Sequence, residues 1–152
     1  MRVYRLTRAM HAGKLDGAGA ARWGSRWNSP GTALLFCAQS RALALCETIV
    51  HAYGTGAGDR SYALVELDIP GRSVLRAPRM PETWKGSPDN PETRAIGDGF
   101  VKHGKHLAMR LPSVLVPEEH NFIINPAHPH FRHVRLVSIL PFELDARFLP
   151  ER

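Results

Sequence analysis

Residues 24–51 constrain the fold more than any other part of this chain. They begin as a polar loop that is bounded by glycine and proline and carries Arg26, and they continue as an uncharged run over residues 32–38. Such a run is compatible with a short buried strand, and Ser40 has the residue type of a helix N-cap. The pattern therefore predicts a loop, a strand and a helix that hold Arg26 at a fixed position relative to Glu47.

The helix after Ser40 is predicted to end at Gly54. At about 100° per residue, one face collects most of its apolar side chains. Glu47 lies at the edge of this face, where a glutamate is ordinarily solvated; alternatively it reaches over the core edge into a cleft, with His51 one turn later. The sequence leaves both readings open. The predicted apolar face consists of Ala42, Leu45, Cys46, Ile49, Val50 and Tyr53.

The 152 residues suffice for one domain with a substantial core. Cys37 and Cys46 have neither zinc-ligand nor redox-motif spacing, so we expect two core thiols in a reducing compartment. The N-terminal residues lack the apolar segment of a signal peptide, and no apolar run approaches the roughly 18 residues of a membrane-spanning helix. These features predict a cytoplasmic protein that does not associate with membranes.

The net charge of +6 is concentrated in the first part of the chain. Residues 1–60 carry eight Lys and Arg against three acidic residues. This asymmetry favours an anionic ligand or an acidic partner, although a general role in solubility explains the charge as well. A basic nucleic-acid-binding module is a further alternative, but no RNP, KH or zinc-knuckle pattern is present. We therefore expect no direct nucleic-acid binding.

Hydrophobic patterning and glycine and proline positions indicate the remaining elements. A Pro-Ser step within a strand pattern predicts a bend that redirects Ser113. Gly97 and Gly99 weaken the pattern of the second helix. The predicted elements are a strand over 2–7, a glycine-interrupted connection over 10–22, a strand over 62–69, an irregular segment over 76–91, a helix over 92–103, strand pieces over 107–117 broken at Pro112, a strand over 134–140 and a C-terminal appendage over 141–152.

Four histidines near the C-terminus invite comparison with a metal site, since imidazole is a common metal ligand. None of them has the spacing of a helical zinc motif, and Pro126 and Pro129 prevent a helix between them. We therefore predict no metal site. The histidines are His120, His128, His130 and His133.

Four blocks, in this order along the chain, resemble the RES domain, a family named for its Arg, Glu and Ser. The resemblance extends from Tyr4-Arg5 through Phe131 and so covers nearly the whole chain, which we expect to be a single RES domain over 1–152. The blocks are Gly24-x-Arg26-Trp27-Asn28-x-x-Gly31, Ala42-Leu43-Ala44-x-x-x-Glu47-x-x-x-His51, Leu111-Pro112-Ser113-Val114-x-x-Pro117 and Asn121-x-x-x-Asn125-Pro126-x-His128-Pro129-x-Phe131.

The resemblance implies an α+β domain like that of ADP-ribosyltransferase toxins, with central mixed β-sheets flanked by helices and a cleft for NAD. It implies the toxin of a bacterial toxin–antitoxin pair that breaks the bond between nicotinamide and ribose. The ADP-ribose passes to water or phosphate, or alternatively to a protein such as phosphoribosyl pyrophosphate synthetase. The implied partner is an Xre-type antitoxin that covers the cleft.

Residue by residue, the resemblance assigns the catalytic set to Arg26, Glu47 and Ser113. Phe36 occupies a position at which the family usually has tyrosine, so a phenol hydroxyl is lost while the aromatic ring is kept. A guanidinium suits a pyrophosphate, and a carboxylate suits an oxocarbenium-like ribose. The residues expected to contact NAD are Tyr4, Arg5, Arg26, Trp27, Asn28, Phe36, His51 and Asn125.

Overall fold

The computed structural model of this chain describes residues 1–52 and 61–148. Ten helices and strands are labelled in chain order, and short 3₁₀ turns lie between several of them. The elements are β1 (Arg2–Arg8), α1 (Ala18–Trp23), β2 (Leu35–Ala38), α2 (Arg41–Ala52), β3 (Ser61–Asp68), β4 (Val74–Arg76), α3 (Pro91–His103), β5 (Ala108–Pro112), β6 (His120–Ile124) and β7 (Arg135–Glu143).

The described strands form one seven-stranded mixed sheet in the order β4-β5-β6-β2-β1-β3-β7. The pair β4–β5 is parallel, and every other neighbouring pair is antiparallel. β1 is near the middle because it pairs along its full length with β3 and meets β2 at Tyr4 and Ala38. The predicted α+β class with a mixed sheet is confirmed, and the strands of the described residues belong to one sheet.

The two faces of the sheet are covered differently. On one, the helix face, α2 packs over Leu6 and Ala38, while α3 packs through Phe100 over Leu111 and Ile123. Because successive strand residues point to opposite sides, the alternate residues form a second core on the opposite face. That core includes Val3, Leu35, Val65, Phe122 and Ile124, against which Leu15, Phe131 and Val134 pack.

The helix starts and stops follow ordinary capping chemistry. The Ser40 hydroxyl accepts a hydrogen bond from the Leu43 amide at 3.0 Å, which confirms the predicted N-cap of α2. Asn90 caps α3 by accepting from the Glu92 amide, and Gly104 ends that helix with a φ of 60°. The residues at the predicted end of α2, Tyr53 and Gly54, lie outside the described residues.

The connection predicted over residues 10–22 contains a helix, α1, that sequence reasoning missed. Gly17, with a φ of 68°, precedes it and Gly24, with a φ of 69°, follows it. The Asp16 carboxylate accepts from the first helical amide, that of Ala18. The glycines that interrupt the pattern therefore mark the two ends of a short helix rather than an irregular segment.

The apolar face predicted for α2 is wrong. Ala42, Cys46 and Val50 are exposed, whereas Leu43 and Ala44 are buried against the sheet. Polar contacts decide this orientation: the Thr48 hydroxyl donates to the Leu6 carbonyl on β1, and Glu47 accepts from Ser113 after β5 and from Asn121 on β6. Cys46 is therefore not a core thiol, whereas Cys37 is buried as predicted. Leu45 and Ile49 remain partly buried.

The C-terminal part differs from its prediction in two places. Strand pieces do not form on both sides of Pro112, because β5 ends there and residues 113–119 form a loop. β7 continues past the predicted strand end at residue 140 to Glu143 and pairs with β3 over that length. Residues 141–143, assigned by sequence to an appendage, thus belong to the sheet.

No helix in the described parts of the chain is long and apolar enough to cross a membrane.

Candidate active site

Glu47 occupies the side of α2 that faces the sheet. Its Oε1 accepts a hydrogen bond from the Ser113 hydroxyl at 3.0 Å and another, very short, from the Asn121 side-chain amide. Within the described residues, Oε2 has no hydrogen-bond donor. The carboxylate is therefore fixed through one oxygen and presents the other, an arrangement suited to a ligand with hydroxyl groups or developing positive charge.

Ser113 follows β5 in phase with the core residues Met109 and Leu111, so its side chain points to the helix face. It is fully buried. Besides donating to Glu47, its hydroxyl oxygen accepts from the amides of Leu115 and Val116, both at 3.1 Å. With its donor and acceptor capacity in use, Ser113 shapes its own loop and orients Glu47.

Asn121 is a site residue that sequence reasoning missed, although it opens the fourth block of the resemblance. It pairs with Ala38 of β2 and with Leu111 of β5 in the sheet. It alternates with Phe122, whose side chain lies on the opposite face. The sequence signal that could have found it is its period-two phase with Ile123, which packs on the helix face.

Arg26 lies in the loop after α1, at the α3 end of the helix face. Its guanidinium donates to the carbonyls of Trp84 at 2.6 Å, Ser87 at 3.3 Å and Gly86 at 3.3 Å. The Thr93 hydroxyl on α3 donates to the Arg26 carbonyl at 2.7 Å and holds the loop. Three of the five guanidinium N–H groups are thus used, and Nε–H and one Nη2–H have no acceptor among the described residues.

The electrostatics link Arg26 with Glu47. Burial lowers the pKa of Arg26, and the negative charge of Glu47 acts in the opposite direction. A guanidinium remains protonated under all ordinary conditions, so the pair supplies one fixed positive and one negative group at the same face of the sheet. The structure places Ser113 in contact with Glu47, and Arg26 close enough for the charge of Glu47 to affect its pKa. The resemblance assigns these three residues to catalysis, and that role stays a prediction.

Trp27 and Asn28 support this loop from within. Trp27 is buried in the core beneath α3. Asn28 is fully buried, donates to the carbonyls of Ala20 and Thr32, each at 2.9 Å, and accepts from the Ser25 hydroxyl at 2.6 Å. Both side chains are engaged inside the protein and hold the loop that carries Arg26. A ligand would have to replace these internal contacts to bind them as predicted.

Two aromatic residues lie on the helix face. Phe36 is partly buried against the core beneath α3, and Ile123 is its pairing partner on β6. Tyr4 packs under α2, where the Arg41 guanidinium lies 4.5 Å from the ring centroid. Both side chains occupy the sheet face that carries Glu47.

The other three residues predicted to contact the ligand have different surroundings. Arg5 follows Tyr4 on β1 and projects to the opposite face, where it donates to the Lys14 carbonyl at 3.1 Å; burial lowers its pKa. Asn125 accepts from the Ala127 amide in the turn after β6. His51 is exposed in the last turn of α2.

Three of the four histidines, His128, His130 and His133, contact one another. His128 accepts from the His130 amide through Nδ1, and the rings of His130 and His133 meet edge to face. Across residues 1–52 and 61–148, no three His, Cys, Asp or Glu side chains are grouped for a metal ion.

Comparison with known proteins gives the chain its relatives. The family model of the RES domain matches residues 2–145. A protein named Prs ADP-ribosylating toxin from Sphingobium sp. (strain YBL2) is 33% identical over 153 residues, covering 97% of this chain and 94% of the relative. A protein named Toxin Res from Yersinia enterocolitica is 32% identical over 151 residues, covering 97% and 99%.

A solved structure shares the fold. A chain of the M. tuberculosis MbcT–MbcA toxin–antitoxin complex superposes with a TM-score of 0.77 at 18% identity, covering 93% of this chain and 84% of that chain. The family-model match over residues 2–145 and the relatives of more than 30% identity show that the chain belongs to the RES domain family.

Proposed function

We propose that this protein is the toxin of a toxin–antitoxin pair and that it consumes NAD by breaking the bond between nicotinamide and ribose. The observation that carries the proposal is Glu47, whose Oε1 is held by Ser113 and Asn121 while Oε2 has no donor within the described residues. Family membership and relatives named as toxins support the same conclusion.

In the proposed reaction, the bond from ribose C1′ to the nicotinamide nitrogen breaks, and its electron pair neutralises the pyridinium ring. The positive charge that develops on the ribose is stabilised by the nearby carboxylate of Glu47. Water or phosphate then attacks C1′ and loses a proton to solvent or to a base. Removing the negative charge at residue 47 therefore raises the barrier of this step.

Arg26 supplies the complementary binding interaction. Three of its donors are fixed by loop carbonyls at residues 84–87. Nε and Nη2, which each keep one N–H group, lie side by side on the guanidinium, and this edge matches two oxygens of a phosphate group. A lysine cannot reproduce both the anchoring and the paired donors, so Arg26→Lys is expected to weaken NAD binding more than it slows bond cleavage.

The direct test is NAD turnover by purified protein, with nicotinamide release followed with and without added phosphate. Glu47→Gln should abolish release, because the amide has similar shape and no charge. Glu118→Gln is the matched control, since Glu118 is an exposed carboxylate in the nearby loop 113–119. Equal turnover by Glu47→Gln and the parent protein would refute the assigned role of Glu47.

A second candidate reaction is transfer of ADP-ribose to a protein. The name of the Sphingobium relative, Prs ADP-ribosylating toxin, favours it. Phe36 also favours it, because losing a phenol hydroxyl near the ribose changes how a small acceptor is held. Labelled NAD added to a cell lysate distinguishes the reactions: transfer gives labelled protein bands, whereas degradation gives free ADP-ribose or its phosphorylated form.

We also propose that an antitoxin of the Xre type binds over the helix face and blocks Glu47. The MbcT–MbcA complex, which shares this fold, is a toxin–antitoxin assembly. Co-expression with the product of the adjacent gene should yield a copurifying complex without NAD turnover. A complex that retains full turnover would contradict the proposed position of the antitoxin.

A further inference from the structure

Ser40 has a second hydrogen bond besides the one that caps α2. Its oxygen accepts from the Leu43 amide at 3.0 Å, and its hydroxyl donates to Glu119 Oε2 at 2.6 Å. Both Ser40 and Glu119 are half-buried. A short hydrogen bond from a hydroxyl to a carboxylate is among the stronger kinds, because the acceptor is charged. The bond joins the start of α2 to the end of loop 113–119, although the two residues are 79 positions apart in the chain.

The residues beside this hydrogen bond are joined as well. The Gln39 amide donates to the His120 carbonyl at 3.0 Å, and the Gln39 side-chain oxygen accepts from the His120 amide at 3.0 Å. At the other end of the loop, the Ser113 amide donates to the Glu119 carbonyl at 3.0 Å. The start of α2, the end of the loop and the start of β6 are therefore held together by main-chain and side-chain contacts.

These contacts bear on the candidate active site because Glu47 lies on the same helix. Ser40 precedes Glu47 by about two helical turns, or about 10 Å along the helix axis. Glu47 in turn accepts from Ser113 at 3.0 Å. The helix is thus tied to one loop at two points, by Ser40 at Glu119 and by Glu47 at Ser113. With the first of these bonds broken, the loop can pivot about the second.

We propose that Ser40 and Glu119 form a positioning pair that holds Ser113 against Glu47. Its effect on reaction rate rests on the proposed NAD cleavage, whereas its effect on the loop does not. Neither side chain of the pair touches the substrate in this proposal. Without the Glu119 carboxylate, one end of the loop is released, Ser113 leaves its contact with Glu47 more often, and the Glu47 carboxylate is no longer held in one orientation.

Kinetics of variants on both sides of the bond test the pair. Glu119→Gln should lower kcat for nicotinamide release about 10-fold with little change in KM, because a charged acceptor is lost. Glu118→Gln, at the exposed neighbouring position, should leave kcat unchanged. Ser40→Gly removes the donor and keeps most of the helix cap, so its kcat should fall to the same extent. Ser40→Thr keeps both the donor and the acceptor and should retain the parent kcat.

A double-mutant cycle tests whether Glu119 acts through Ser113. In a Ser113→Ala background, Glu119→Gln should have little further effect on kcat, since the contact that it supports is already gone. Independent structural damage would instead give losses that add. Additive losses would therefore overturn the proposal, as would equal kcat values for Glu119→Gln and Glu118→Gln. Melting curves identify any variant that has not folded, and the bond can be broken from either side.

Hydrogen exchange tests the pair without NAD. The amides of Leu115 and Val116 donate to the Ser113 hydroxyl, both at 3.1 Å. Both amides should exchange several-fold faster in Glu119→Gln than in Glu118→Gln, because the loop opens more often. Faster exchange in a protein whose parent releases no nicotinamide would support the positioning of Ser113 and refute the proposed reaction. Unchanged exchange, or unchanged kcat in a parent that does release nicotinamide, would overturn the positioning pair.

Discussion

At the scale of single residues, the two oxygens of Glu47 have different surroundings. Oε1 is occupied by Ser113 and Asn121, and Oε2 has no donor within the described residues. A carboxylate held this way loses little rotational freedom when substrate binds, so its charge is placed before the reaction begins. In the proposed reaction we assign Ser113 and Asn121 as positioning residues, since both donate to Glu47.

Removing one of these donors should slow the reaction. We expect Asn121→Ala to lower kcat for NAD cleavage about 10- to 100-fold, since a hydrogen bond to a charged group contributes about 1.5–3 kcal/mol. KM should change little. Steady-state kinetics provide the measurement, with Asn121→Asp, which places a second carboxylate beside Glu47, expected to lose more. A raised KM with unchanged kcat would instead assign Asn121 to substrate binding.

The two cysteines should differ in reactivity. Burial raises the pKa of Cys37 to about 12, so its thiolate is scarce at any pH at which the protein is handled. Cys46 is exposed on α2. A thiol reagent should therefore label Cys46 rapidly and reach Cys37 only after denaturation. Mass spectrometry of labelled peptides gives the result, and rapid native labelling of Cys37 would show that β2 is less protected than its burial indicates.

At the scale of elements, α3 fixes the loop that carries Arg26. A Cβ added at Gly97 would lie 1.7 Å from the Trp27 carbonyl oxygen, so helix and loop approach through bare backbone. Thr93 on the same helix donates to the Arg26 carbonyl. The glycine that weakens the helical pattern in the sequence is therefore what lets the helix pack against the site.

This close approach gives a paired prediction. Gly97→Ala should destabilise the protein by at least about 2 kcal/mol, because backbone must move to admit the methyl group. Gly99→Ala should instead stabilise it by about 0.5–1 kcal/mol through helix propensity, since the added Cβ meets only His103 at 4.0 Å. Chemical denaturation measures both. A Gly97→Ala protein as stable as the parent would show that α3 can shift without cost.

At the scale of the whole molecule, the sheet carries the site on one face and connects distant parts of the chain. Asp68, at the end of β3, accepts hydrogen bonds from Arg135 on β7 and from the amino group of Met1 beside β1. One partly buried carboxylate therefore links β1, β3 and β7. Its protonation state is coupled to how well those strands are held together.

That coupling has a defined pH dependence. Hydrogen bonds from Arg135 and the Met1 amino group lower the pKa of Asp68 in the folded protein. The pKa in the unfolded chain is about 4, so the contribution of Asp68 to stability is present above about pH 4. It is lost as the pH falls through the lower pKa of the folded protein. The melting temperature of Asp68→Asn should lie below that of the parent at neutral pH and approach it in acid. Melting curves across this pH range test it; a constant difference would rule out an ionic origin.

The sequence by itself predicted part of the elements and the resemblance to the family. Local signals sufficed for the N-cap of α2, for α3 and for β1, because capping and period-two alternation depend on neighbours along the chain. The resemblance assigned Arg26, Glu47 and Ser113 to catalysis, and that assignment stays a prediction. The sequence also placed Cys37 in the core, since an uncharged run of that length is ordinarily buried.

Only the tertiary structure decided which face of α2 packs against the sheet and which residues contact Glu47. Hydrophobicity alone favoured the face with Cys46 and Val50, but hydrogen bonds to the sheet turned Leu43, Ala44 and Glu47 inward. Asn121 and Glu47 form a hydrogen bond although they are 74 positions apart in the sequence. Glycine is needed at position 97 because the helix backbone there lies against the Trp27 carbonyl of another segment. Such contacts join residues that are far apart in the chain. No local sequence pattern predicts which partner each polar group or glycine will have.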